Sequence, residues 1–165
     1  METYQTICFA LSFLVFAIYF VWVWLTYGIQ SSISNSFYII WKRNPQSPNK
    51  RWWLTAALWG FSFPLAIVGV EIHPIFWLAA VLIILVGAAP AFKATKMQND
   101  IHMIGAIGGI SAAMIGFMII GLWSVVIPTV VVMAYMAVYR IPHTTWWVET
   151  AAFLGTWAGL LVYSL

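Results

Sequence analysis

Residues 6–27 read TICFALSFLVFAIYFVWVWLTY, a run without Asp, Glu, Lys, Arg or His. A helix needs roughly 20 apolar residues to cross the hydrocarbon core of a bilayer, and this stretch meets that length unaided. It is too long and too aromatic for a secretory leader, and no small-residue cleavage site follows it. It is therefore expected to stay in the mature protein as a first membrane crossing.

Five more apolar stretches follow, at about 53–70, 74–92, 101–120, 123–139 and 146–165. The predicted fold is all-α: a polytopic helical bundle of six transmembrane helices, forming a single integral membrane domain over residues 1–165. The composition agrees. Of the 165 residues 64% are apolar and 7% charged, with a mean hydropathy of +0.95. Soluble domains are about a quarter charged, so a soluble enzyme, a disordered chain and a nucleic-acid reader are excluded. The single cysteine, Cys8, excludes a disulfide framework and a cysteine metal cluster.

The connections divide into two kinds. Glu71-Ile72-His73-Pro74 and Gly121-Leu122 are tight joints, suited to antiparallel hairpins. The longer connections hold every cation: Lys42, Arg43, Lys50 and Arg51 in the first, Lys93 and Lys96 in the second, Arg140 in the third. With six crossings these three connections share one side. The positive-inside rule makes that side cytoplasmic, with both termini on the non-cytoplasmic side of a plasma (inner) membrane. A miscounted crossing would have split the cations between the faces. Trp52, Trp53, Trp123, Trp146 and Trp147 stand at span ends, where amphipathic indoles favour the headgroup level.

Between the first two spans, Ile33, Phe37, Ile40 and Trp41 recur at helical spacing, with Ser31, Ser34, Asn35, Tyr38 and Lys42 on the other side. The pattern predicts a short interfacial helix near 30–41, capped by Ser31 or Ser32. Pro45 and Pro48 then mark a loop. No internal repeat or low-complexity stretch stands out.

Ionisable groups inside a membrane are costly, so their positions carry information. Glu149 lies about one turn into the sixth span, on a stripe with Thr145, Ala152, Thr156, Gly159 and Tyr163. The fourth span carries His102, Gly105, Gly109, Ala112 and Gly116 along one side. Such small residues let helices approach closely, and the two stripes are expected to pack together, bringing His102 within reach of Glu149. The topology gathers one candidate polar cluster at the cytoplasmic face: Asp100, His102, His143, Glu149, Ser34 and Ser36. Gly105, Gly109, Ala112, Gly116, Ala152, Thr156 and Gly159 are the expected helix-packing residues.

Histidine and carboxylate are zinc ligands, so His102, His143 and Glu149 are the candidates for a metal, and zinc is the one cofactor the sequence leaves open. No His-x-x-x-His or His-Glu-x-x-His spacing supports it, and phosphate-loop and dinucleotide signatures are absent. No lysine lies within a span, which excludes a retinal Schiff base, and the fourth span has no arginine series of a voltage sensor.

The reading that follows is a small non-enzymatic accessory, assembly or partner-binding bundle. Its expected partners are the lipid bilayer and another membrane protein or a second copy, with no nucleic acid. Two alternatives use the polar cluster. One is a small ion- or proton-coupled carrier or channel working through Glu149 and His102. The other is a metal-dependent intramembrane hydrolase using His102, His143, Asp100 and Glu149.

Overall fold

His73 and Pro74 show how the chain turns its first tight corner. His73 is extended (φ −164°, ψ 137°), and its Nδ1 accepts the amide hydrogen of Ile75 at 3.3 Å. Pro74 occupies the first helical turn, where its missing N–H costs nothing. One residue thus separates α3 (Trp53–Ile72) from α4 (Pro74–Ala88).

The second tight corner uses a glycine. In α5 (Lys96–Ile119) the last turn closes by two backbone bonds, Leu122 N–H to the Phe117 carbonyl at 2.8 Å and Gly121 N–H to that of Met118 at 3.1 Å. Gly121 sits at φ +80°, the left-handed position this closure needs and glycine takes without steric cost. After it comes α6 (Trp123–Val138). The third corner repeats the same closure with a non-glycine residue. Ile141 N–H reaches the Met136 carbonyl and Arg140 N–H that of Ala137, with Arg140 at φ +46°.

The computed structural model describes residues 2–164, apart from the side chains of residues 48 and 164; residues 1 and 165, the ends of the expected domain, lie outside it. Among the described residues there are seven α-helices and no strands. To those above are added α1 (Thr3–Tyr27), α2 (Ser36–Arg43) and α7 (Thr144–Ser164), with a short 3₁₀ turn at Pro48–Trp52. Among the described residues three helical segments are long and apolar enough to cross a membrane: Thr3–Tyr27, Asn49–Ile72 and Lys96–Ile119. Pro74–Ala88 and Trp123–Val138 are shorter apolar helices.

Two boundaries differ from expectation for identifiable reasons. The stretch expected to run to residue 92 ends at Ala88, because Pro90 disfavours helical backbone at the residue before it. Ala89 accordingly leaves the helix at φ −115°, ψ 53°. The helix expected from 101 begins instead at Lys96, since the Thr95 side chain accepts the Gln98 amide at 3.2 Å and caps an extra polar turn.

The short helix is also displaced. It covers 36–43 rather than 30–41, and its N-cap is Asn35, not Ser31 or Ser32. Residues 32–36 instead form tight turns, with Asn35 N–H to Ser32 O and Ser36 N–H to Ile33 O, both at 3.1 Å. Ile33, Phe37 and Ile40 are buried, whereas Trp41 is exposed beneath the guanidinium of Arg51, 5.1 Å from its ring.

Helices α1, α3, α4, α5 and α7 form a ring in that order. Neighbours α1–α3, α3–α4 and α4–α5 lie backbone to backbone. Polar clasps tie α3 to α4: Thr55 Oγ1 donates to the Gly87 carbonyl at 2.8 Å and Trp59 Nε1 to that of Ile84 at 3.0 Å. The ring closes between α7 and α1 through aromatic side chains, with Phe9 stacked on Trp157 at 4.6 Å and Phe16 against Phe153 at 4.9 Å. Trp146, expected at a membrane surface, is instead core. It is 1% exposed and packs on Phe20. Helix α6 lies outside the ring against α7, and Val126 is its buried residue.

The small stripe of α5 faces α4, not α7. A Cβ on Gly105 would come 2.6 Å from the Leu82 carbonyl oxygen, one on Gly109 would meet Ile83, and one on Gly116 would meet Ile75 and Phe76. Helix α7 meets α5 differently: the Phe117 ring fills the notch left by Gly159. The hairpin explains the choice. The short 89–95 connection already holds α4 and α5 side by side, so the glycines serve that closest contact. Ala112 of the same stripe is buried, as is Ala152 of α7; Thr156 is half-buried.

Candidate functional site

Where α5 and α7 begin, they diverge enough to leave a cleft of about 440 Å³. Its polar end is formed by Ser31, Ser32, Asn35, Lys93, His102, Thr145 and Glu149, and its apolar wall by Phe92, Met103, Ala106, Ile107, Ile110 and Val148. Ser31, Lys93 and Thr145 are exposed at one side of its rim, and Met103 and Ile107 at the other. From His102 to Ile110 it follows α5 for about 12 Å at 1.5 Å per residue.

His102 is 4% exposed. Its ring stacks on Phe92 at 4.5 Å, and its Nδ1 lies 3.1 Å from the Ala89 carbonyl. A carbonyl only accepts, so Nδ1 carries a proton, and when the ring is neutral its lone pair is on Nε2. Pro90 thus helps build the site: by ending α4 it frees the Ala89 carbonyl for the histidine.

Glu149 anchors the other wall. Its Oε2 accepts the amide hydrogen of Ile33 at 2.5 Å, tying α7 to the segment before α2. That segment is held from two other sides. Ser36 Oγ donates to the Ile33 carbonyl and lies 2.5 Å from the Tyr19 hydroxyl of α1. Lys93 Nζ donates to Asn35 Oδ1 at 2.7 Å, and the Lys93 amide to the Tyr38 hydroxyl at 2.6 Å. Residues 32–38 therefore form a pinned cap over one end of the ring.

The expected cluster is only partly assembled. His102 and Glu149 line one cleft although the stripes that were to unite them pack elsewhere. Ser34 lies behind Glu149, lining a small void with it. Ser36 faces α1 through Tyr19 and is no part of the cleft. Asp100 and His143 are exposed and do not line it. His143 stands in the α6–α7 corner at φ +61°. Among the described residues no three His, Cys, Asp or Glu side chains gather to hold a metal ion, so the expected zinc set is not brought together.

Asn35, Lys93 and Thr145 were not among the expected site residues. The Tyr38–Phe92–Lys93 contacts carried no periodic signal, because they join two connections rather than two helices.

Beyond Glu149 the ring is not fully filled. A void of about 20 Å³ touches Ser34, Ala106, Ile110, Phe153 and Glu149. A second, of about 40 Å³, is lined by Ser62 and Thr156 among apolar side chains. Ser62 is 1% exposed, and its hydroxyl has no hydrogen-bond partner among the described groups. The chain matches no family model, no curated protein and no solved structure.

Proposed function

We propose that the chain is a six-crossing integral membrane protein with its cations in the cytoplasm and both ends outside. In this reading it is a non-enzymatic bundle that holds the polar end of a small amphiphile in the α5–α7 cleft. The observation that carries it is the cleft's two-sided lining, with hydroxyls, His102 and Glu149 at one end and Met103, Ala106, Ile107 and Ile110 along the other. Ligand sites are characteristically apolar, with a few placed polar groups that set orientation.

The chemistry favours a head that donates hydrogen bonds. His102 Nε2 and the Glu149 carboxylate are acceptors, and Lys93, the one lysine at the cleft, spends one of its three donors on Asn35. A hydroxyl or ammonium head meets these acceptors, whereas a phosphate would have to stand beside the Glu149 carboxylate. The exposed rim at Met103 and Ile107 gives an alkyl chain a lateral way in from lipid.

Native mass spectrometry of the detergent-solubilised protein tests this with dodecylamine, dodecanol and dodecyl phosphate. The amine and alcohol are expected to bind about tenfold more tightly than the phosphate, a difference of about 1.4 kcal/mol. Ile107→Trp should fill the lateral mouth and lower retention of both. Equal binding of all three probes, or binding indifferent to Ile107→Trp, would remove the proposal.

A further inference from the structure

The cleft and the two interior voids are arranged in series. The cleft and the smaller void share Ala106, Ile110 and Glu149. The smaller and larger voids share Ile83, Ile110 and Phe153. The line therefore runs from the cleft past Glu149 to Ser62 and Thr156 on the inside of the ring. Glu149 and Thr156 are two turns apart on α7, about 10 Å along its axis.

Phe76 walls the larger void, and its ring lies 4.9 Å from that of Phe117. Phe117 is 0% exposed and seated against Gly159. Phe76 belongs to the first turn of α4, at the end of the bundle opposite His102. The aromatic pair stands between the larger void and the rim where Tyr4 and Gln5 bond Glu71.

We propose that this axis is a plugged proton path, with Glu149 as its carrier at the cleft and a water held between Ser62 and Thr156 as its next station. The larger void exceeds the volume one water needs, about 10–15 Å³ of probe-occupied space. Two polar partners are in place. The Ser62 hydroxyl is unpaired, and Thr156 Oγ1, which donates to the Ala152 carbonyl at 2.8 Å, still has lone pairs to accept. The smaller void has room for a linking water beside the carboxyl.

A hydronium in the cleft gives its proton to a Glu149 carboxylate oxygen and is left as water. The proton then passes from that oxygen to the linking water, which releases one of its own protons to the water at Ser62. Each bond formed on one oxygen is matched by one broken on the previous one, and only the proton's charge moves. His102 and Lys93 are the other titratable groups lining the cleft that Glu149 faces. A carboxyl inside a membrane helix is a recurrent element of such relays. The path does not require the cleft to hold an amphiphile, so the two proposals stand separately.

Vesicles containing the full chain and a trapped pH dye, with a valinomycin-set potassium potential, read the flux. The native plug should keep proton entry near that of protein-free vesicles. Phe117→Ala is expected to raise it about tenfold, with Phe117→Leu as a companion that keeps more of the packing. In the opened background, Glu149→Gln should abolish the gain and Ser62→Ala should reduce it. Flux at the protein-free level in both plug variants overturns the path. So does an increase that Glu149→Gln leaves unchanged.

Discussion

The carboxylate of Glu149 and the backbone amide of Ile33, 116 residues apart in the chain, meet at 2.5 Å. An amide that loses such a partner while buried costs about 1–3 kcal/mol. Glu149→Ala is therefore expected to destabilise the protein by that amount in detergent thermal melts. It should also speed hydrogen exchange at Ile33. Glu149→Gln, whose side-chain carbonyl still accepts, should keep most of the protection. Equal exchange in all three proteins would show that the bond does not hold the cap.

Ser36 lies between two partners, so its loss and that of Tyr19 should differ. Ser36→Ala strands a buried tyrosine hydroxyl, at about 1–3 kcal/mol. Tyr19→Phe leaves Ser36 Oγ bonded to the Ile33 carbonyl and should cost nearer 1 kcal/mol. Chemical or thermal unfolding of the two variants side by side gives the order, and the reverse order would refute this account of the cap.

Neighbouring glycines on α5 should tolerate alanine unequally. At Gly105 the new methyl would press on a backbone oxygen at 2.6 Å; at Gly108 it would meet the movable Leu82 side-chain end at 3.2 Å. Overpacking against backbone costs about 1–3 kcal/mol. Gly105→Ala is expected in that range and Gly108→Ala well below it, as measured by loss of folded protein on heating.

Arg140 occupies a left-handed corner that suits glycine. The strain is about 1–2 kcal/mol, against about 0.5–1 kcal/mol of extra chain entropy that glycine loses on folding. Arg140→Gly should thus raise stability by up to about 1.5 kcal/mol. The arginine is the cation of its connection, which gives a physical reason to tolerate the strain: charge near a span end orients the chain. A melting temperature lowered by Arg140→Gly would count against the strain argument.

Sidedness has its own check. In a Cys8→Ser background, Glu71→Cys should react with an impermeant maleimide added to intact cells, and Lys50→Cys should react only after lysis. The opposite pattern would invert the proposed orientation.

Much of the helical plan is legible in the chain because apolar runs, Pro74 and Gly121 each act locally. Helix ends at Ala88 and Lys96 depend on equally local residues, Pro90 and Thr95, whose effects the apolar run alone hides. Partner choice is less readable. A glycine stripe fits any smooth helix, so nothing in the stripe itself points to α4 rather than α7. The site divides along the same line. His102 and Glu149 sit at like depths on helices that start from one end of the bundle, and the alternation of hairpins suffices to bring them near. Asp100 is two residues from His102, about 200° around the helix, and its exposure follows from that turn. Trp146 misleads because an indole at the start of a helix looks the same whether lipid or Phe20 lies beside it.

The union of α7 with α1 differs in kind from the joints that link α1, α3, α4 and α5. From α1 through α3 and α4 to α5 the main chains lie close; here Phe9, Phe13, Phe16 and Trp157 hold them apart like spacers. Flat rings slide over one another at little cost, whereas interlocked main chains do not. Breathing of the bundle is thus expected at the two margins of α7, the aromatic one with α1 and the open one with α5. Widening there would loosen the walls around Phe153 while the α3–α4–α5 block stays rigid.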